Sequence, residues 1–184
     1  MNGSILVITG PMFSGKSTEL LKLYNRFKGK DICQLFSSKL DNRYTDEEKV
    51  YTHDGESENA ELVSSVDELI RRLSEDTRHI FIDEIHLIKG DVSGLCMKLA
   101  NQGRHIYVSG LDLDYMGKPF REISVLMADA DEVVKKSGTC SICGKASRYS
   151  YRTGNEKGRL VVGAADKYEP RCRGCFKSSA GPVC

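Results

Sequence analysis

One stretch near the start of the chain, Gly10-Pro11-Met12-Phe13-Ser14-Gly15-Lys16-Ser17, restricts the fold more than any other. An apolar run, Ile5-Leu6-Val7-Ile8, precedes it and a segment of helical spacing follows, so the order reads strand, phosphate-binding loop, helix. Each part of the motif has a physical task. Gly10 and Gly15 let the backbone curl until successive N–H groups point at a β-phosphate, and the start of the helix adds its partial positive charge. Lys16 then reaches the β- and γ-phosphates. Ser17 can place its hydroxyl on a magnesium ion bridging them.

A parallel sheet is the natural home of such a loop, and the rest of the chain supplies one. Leu20, Leu23, Tyr24 and Phe27 recur at helical spacing from Ser17 to about Lys28, and Gly29 ends that helix. Ile32-Cys33-Gln34-Leu35-Phe36 reads as a second strand, with Cys33 as a small core residue. From Ser37 to Asn59 the chain is polar and without period, the mark of a long functional or disordered loop. Leu62-Val63 suggests a short strand. Ser65 and Glu68 form the pattern of a capping box before a helix carrying Leu69, Ile70 and Leu73.

Ile80-Phe81-Ile82-Asp83-Glu84 is a buried strand ending in two carboxylates. A helix through Val92, Leu95, Cys96 and Leu99, a strand at Ile106-Tyr107-Val108, a helix beginning near Pro119 and a short strand at Val133-Val134 complete the series. Strands alternating with helices in this way predict an α/β domain with a mainly parallel sheet covered on both faces. Ligands of such sheets sit at the carboxyl ends of the strands, where the phosphate loop, Asp83-Glu84 and the loop from Leu111 to Tyr115 are all placed.

Around Ser137-Gly138 the character changes. Cys140-Ser141-Ile142-Cys143 and Cys172-Arg173-Gly174-Cys175 flank a segment rich in Tyr, Arg and Gly. Two such pairs form the two knuckles of a zinc ribbon, and a site filled by four thiolates leaves no position for a substrate water. The expected zinc is structural, stapling a lobe too small to hold itself by burial. A redox dithiol or core cysteines are the rival readings. The expected divisions are a nucleotide-binding domain at 1–138, a zinc lobe at 139–177 and a frayed tail at 178–184.

With 184 residues and a formal charge of +1, the chain offers no field for a nucleic acid or an anionic membrane, and no segment could span a bilayer. Neither partner is expected. No apolar leader precedes the phosphate loop, so seven cysteines are expected in the reducing cytoplasm.

Asp83, at the end of an apolar strand, is placed to hold the magnesium of a loop-bound nucleotide. Side-chain alternation is expected to turn Glu84 elsewhere, towards a nucleophile. Activating water there would make an ATPase, and deprotonating a substrate hydroxyl would make a kinase. Arg43 is either the cation that meets charge on the transferred phosphoryl group or a surface arginine. His53 is assigned a hydrogen-bonding role in its own loop, and His79 and His105 are assigned structural roles.

Together with Asp41-Asn42-Arg43-Tyr44, Thr52-His53-Asp54, Gly110-Leu111-Asp112, Lys118-Pro119-Phe120 and Ala165-Asp166-Lys167-Tyr168, these motifs resemble the zinc-containing thymidine kinases from about residue 3 to 176. The resemblance implies a RecA-like phosphate-loop core, a small zinc lobe, and transfer of phosphate from ATP to the 5′-hydroxyl of thymidine in nucleotide salvage. It implies ATP on residues 10–17, Glu84 as the base, Arg43 assisting the phosphates, and a homotetramer inhibited by the triphosphate end product. A lasso loop, here about Ser147 to Tyr168, would close over the nucleoside. Met12, Leu111, Tyr115 and Phe120 would line the base pocket, with Arg159, Leu160, Val161, Val162, Gly163 and Tyr168 contributing from the lasso. The family usually has Phe where Tyr115 stands. After Asp-Glu the sequence is Ile85-His86-Leu87-Ile88, where the family usually has glutamine at the position of His86. His86 either takes over its contacts or packs against the helix. Gly163-Ala164 replaces a frequent Gly-Gly. A phosphate-loop ATPase, a non-catalytic nucleotide sensor and a deoxynucleoside kinase of altered base preference are the alternatives.

Overall fold

A computed structural model of the chain describes residues 3–40, 49–51, 57–154 and 167–176. Its centre is a six-stranded sheet of β1 (Ser4–Thr9), β2 (Cys33–Ser38), β5 (Glu61–Val63), β6 (His79–Ile82), β7 (His105–Gly110) and β8 (Glu132–Lys135). They lie in the order β5-β2-β6-β7-β1-β8, and every pairing is parallel. Alternation divides the strands between two cores. Ile5, Val7, Ile80, Ile82, Ile106 and Val108 face one layer, packed by Leu69 of α2 (Val66–Arg72), Val92, Cys96 and Leu99 of α3 (Val92–Asn101), and Ile123 and Leu126 of α4 (Arg121–Asp129). Ile8, Phe81 and Tyr107 face the other, against Leu20 and Leu21 of α1 (Lys16–Phe27).

The polar stretch after β2 holds more order than its composition suggests. Lys49–Tyr51 (β3) and Ser57–Asn59 (β4) pair antiparallel, with Val50 and Ala60 buried against the α1 side. Three-residue strands are too short to show a period, so only packing reveals them. Cys33 is half-buried at the start of β2, where it packs against the margin of the α1-side core, and its Sγ lies 3.5 Å from the Asp31 carbonyl. Cys96 does belong to the core, and burial pushes its thiol up to about 12. The short α2 buries Leu69 but leaves Ile70 half-exposed.

Ser65 caps α2 by accepting from the Glu68 amide at 3.3 Å. The Glu68 carboxylate reaches one residue further back than a capping box requires, to the amide and hydroxyl of Ser64, both at 2.9 Å. The helix expected near Pro119 starts at Arg121, since Phe120 still has extended backbone and its amide donates to the Asp112 carbonyl at 3.0 Å. At the amino ends of the strands, His79 stacks on Phe27 at 4.1 Å and on His105 at 5.1 Å, and its Nδ1 lies 3.2 Å from the Tyr107 hydroxyl. Both histidines sit at the opposite edge from the phosphate loop.

Beyond Gly138 a hairpin of β9 (Tyr149–Arg152) and β10 (Tyr168–Arg171) carries the cysteine pairs. It docks on the carboxyl edge of the sheet. Gly138 fits there because a Cβ would come within 2.9 Å of the Phe13 carbonyl oxygen, and the Ser147 hydroxyl accepts from the Gly138 amide at 3.1 Å. No described helix is long and apolar enough to cross a membrane.

Candidate active site

The phosphate loop leaves β1 after Thr9 and enters α1 at Lys16. Gly10 has φ +144°, and a Cβ on it would meet the Lys136 carbonyl oxygen at 2.4 Å. Gly15 has φ +75° with open space where a Cβ would stand, so the backbone before α1 is bare to a ligand. The Ser14 hydroxyl donates to the Pro11 carbonyl at 2.8 Å, and Lys16 Nζ donates to the same oxygen at 2.9 Å. The buried ammonium thus lies along the inside of the loop. One expected phosphate contact is directed elsewhere: the Met12 amide donates to the Ser150 hydroxyl of β9 at 2.9 Å, with both residues buried. The loop rests on the C-terminal lobe there.

β6 delivers Asp83 and Glu84 to the same edge, and both are buried. Asp83 Oδ1 accepts from the Ser109 hydroxyl and, at 3.0 Å, from the Glu84 amide, which orients the carboxylate. Glu84 does not turn away by strand alternation. The strand ends at Ile82, and Glu84 takes a left-handed conformation, φ +49° and ψ +41°, before the single 3-10 turn Ile85–Leu87. Phe13, at φ +60°, and Glu84 are the two non-glycine residues of positive φ among the described residues, and both flank this edge. Such backbone costs roughly 1–3 kcal/mol and survives where surrounding structure enforces it.

β7 brings the loop from Leu111 onward. Asp114 Oδ1 accepts from the amides of Met116 and Lys118, both at 2.9 Å, and folds that loop back. Asp112 is buried, with Oδ2 2.9 Å from Lys135 Nζ and 4.0 Å from the Arg148 guanidinium of the lobe. Of the expected base-pocket residues, Phe120 is buried against His86 and Tyr115 lies under Arg152. The Arg152 guanidinium sits 3.6 Å from the Tyr115 ring centroid and donates to the Tyr168 hydroxyl at 3.0 and 3.2 Å. Tyr115 and Tyr168, far apart in sequence, therefore share one cation. Arg43, Arg159, Leu160, Val161, Val162 and Gly163 lie outside the described residues, as does His53.

Sequence reasoning passed over Ser109, Ser150 and Arg152. A serine and an arginine fully inside otherwise regular strands, or a hydroxyl next to the phosphate-loop edge, gives a weak signal without the fold. The cysteines gave a strong one. The sulfur atoms of Cys140, Cys143, Cys172 and Cys175 lie within 4.8 Å of one another, and the Cys143 and Cys172 sulfurs are 3.6 Å apart. Tetrahedral zinc with bonds of about 2.3 Å needs sulfurs about 3.8 Å apart, so the cluster fits that ion. The Cys172 amide, with those of Cys143 and Ile142, holds the Cys140 thiol down at about 6, whereas the neighbouring Cys172 and Cys143 sulfurs push Cys175 up to about 12, so the four thiols share their protons as one cluster.

A sequence profile described as thymidine kinase matches residues 3–176. The chain belongs to the thymidine kinase family. It is 38% identical over 176 residues to the thymidine kinase of Rhodothermus sp. (strain ITI 518), an alignment covering 95% of this chain and 82% of the relative. The six-stranded parallel sheet and the cysteine cluster are consistent with that family. The two residues of left-handed backbone, Phe13 in the loop after β1 and Glu84 just after β6, both stand at the carboxyl ends of strands in that sheet.

Proposed function

We propose that this protein transfers the γ-phosphate of ATP to the 5′-hydroxyl of thymidine, and of deoxyuridine, giving the nucleoside monophosphate and ADP. The observation that carries the reading is Glu84, a buried carboxylate held in left-handed backbone directly after the oriented Asp83. A group fixed at such cost beside a phosphate loop suits proton removal from a positioned hydroxyl.

In this reading the amides of the loop from Gly10 to Ser17 and the Lys16 ammonium bind the phosphates, and Arg43 meets the charge that develops on the moving phosphoryl group. Glu84 takes the proton as the 5′-oxygen attacks. Asp83 and Ser17 would hold a magnesium ion, which when bound neutralises phosphate charge. Asp83 suits that task because Ser109 and the Glu84 amide already fix its orientation.

Met12, Leu111, Tyr115, Phe120 and Tyr168 would line the base pocket, closed by residues 159–163. Burying that pocket keeps water from the γ-phosphate and favours transfer over hydrolysis. Cys140, Cys143, Cys172 and Cys175 would bind zinc as a crosslink of the lobe, and the cytoplasm, where thiols stay reduced, suits them. A homotetramer, carried over from the family resemblance, is the proposed assembly; light scattering giving a monomer mass would remove it.

The test of the activity is transfer of labelled γ-phosphate from ATP to thymidine, deoxyuridine, deoxycytidine and deoxyguanosine, each against a control without nucleoside. Label on thymidine with little free phosphate in the control is expected. Free phosphate without labelled nucleoside would replace this reading by an ATPase.

A further inference from the structure

His86 sits at the junction of three parts of the site. Its Nδ1 lies 3.4 Å from Glu84 Oε2 and 3.2 Å from the Leu111 amide, and its ring packs on Phe120 at 4.9 Å between centroids. It is buried, and a Cβ on Gly110 would stand 3.2 Å from the same nitrogen. Two tasks are conceivable for that nitrogen, and they exclude one another. A ring nitrogen that accepts the Leu111 N–H uses its lone pair and carries no proton, so it cannot donate to the carboxylate. A nitrogen that donates to Glu84 leaves the Leu111 amide without this acceptor. The shorter and aligned contact is the one to Leu111, whereas 3.4 Å is beyond ordinary hydrogen-bond length.

We propose that His86 is a positioning residue for the nucleoside loop, holding Leu111 through Nδ1 and Phe120 through its ring, and does not serve Glu84. The proposal rests on the reading that Leu111 and Phe120 face the nucleoside. It gives this chain a way to fix the base-pocket floor from the 3-10 turn that follows the base, so the two move as one unit. The ring face and one acceptor are the features required. An amide side chain would retain the acceptor, and an aliphatic one would retain only bulk.

The experiment uses the full-length protein as His86→Leu and His86→Gln. In His86→Leu the KM for thymidine should rise about tenfold, the scale of leaving a donor unpaired, while the KM for ATP stays within twofold and the kcat effect is smaller than the KM effect. His86→Gln should recover most of the loss. Independently of any substrate, hydrogen exchange at the Leu111 amide should quicken in His86→Leu and return towards wild type in His86→Gln. A fall in kcat at constant KM would overturn the proposal in favour of service to Glu84. An unchanged exchange rate at Leu111, or equal losses for both variants, would also overturn it. If the wild type fails to phosphorylate thymidine, the functional reading falls, and the exchange measurement still decides the role of His86.

Discussion

The phosphate loop and the cysteine lobe reach the same edge of the sheet by different physical means. In the loop the groups proposed to bind phosphate are backbone amides and one ammonium, and two glycines at positive φ lie between a buried strand and a helix. Beyond the neighbouring strand and helix, the Lys136 carbonyl packs on Gly10 and the Ser150 hydroxyl holds the Met12 amide. The lobe has a two-stranded hairpin and few buried apolar side chains, among them Tyr149 and Tyr168, so its shape depends on cross-links. Those are the sulfur cluster, the stack of Tyr149 on Phe176 at 4.3 Å, and Arg152 between Tyr115 and Tyr168. A phosphate site can be written locally in sequence. A pocket closed by a small lobe has to be assembled from distant residues.

The largest expected effect is at Glu84, which belongs to neither region and follows β6 at the same edge of the sheet. Glu84→Gln keeps size and burial but removes the basic oxygen. Turnover should fall by about 100-fold or more, as loss of a general base does, with ATP affinity nearly unchanged. Stopped-flow or steady-state kinetics alongside nucleotide titration checks both halves. Wild-type turnover in this variant would mean that proton removal lies elsewhere.

Metal removal tests whether the two regions are separable. A strong zinc chelator should unfold the hairpin and abolish thymidine binding while the parallel-sheet core still binds ATP. Calorimetric titration of each substrate before and after chelation, with metal analysis, reads this directly. Thymidine affinity that survives loss of the metal would show that apolar contacts alone hold the lobe closed.

Legibility in the amino-acid sequence follows the same division. The parallel sheet was readable because its strands are apolar runs at regular spacing and its ligand edge follows from topology. Asp83 and Glu84 were visible as charges ending such a run, but the direction of Glu84 was not. It comes from a left-handed turn, and no residue preference announces that turn, since glutamate rarely adopts it. The hairpin of β3 and β4 was hidden because strands of three residues carry no period. Ser109 and Arg152 were hidden for another reason: each is significant only for what lies opposite, Asp83 in one case and two tyrosines in the other. Pairings across long sequence separations leave no mark on a single sequence.

Ser150 is where the two regions meet, and it gives the smallest and sharpest prediction. Its hydroxyl accepts the Met12 amide at 2.9 Å in a buried setting, so Ser150→Ala leaves that donor without its partner. An orphaned buried donor costs about 1–3 kcal/mol, and here the donor is an amide of the phosphate loop. The KM for ATP should therefore rise severalfold although Ser150 lies in the lobe, and Ser150→Thr, which keeps the hydroxyl, should restore it. A loss confined to thymidine would place Ser150 in the nucleoside pocket alone. A loss in ATP binding would show that the lobe sets the shape of the phosphate loop, making the local motif less self-sufficient than its sequence suggests.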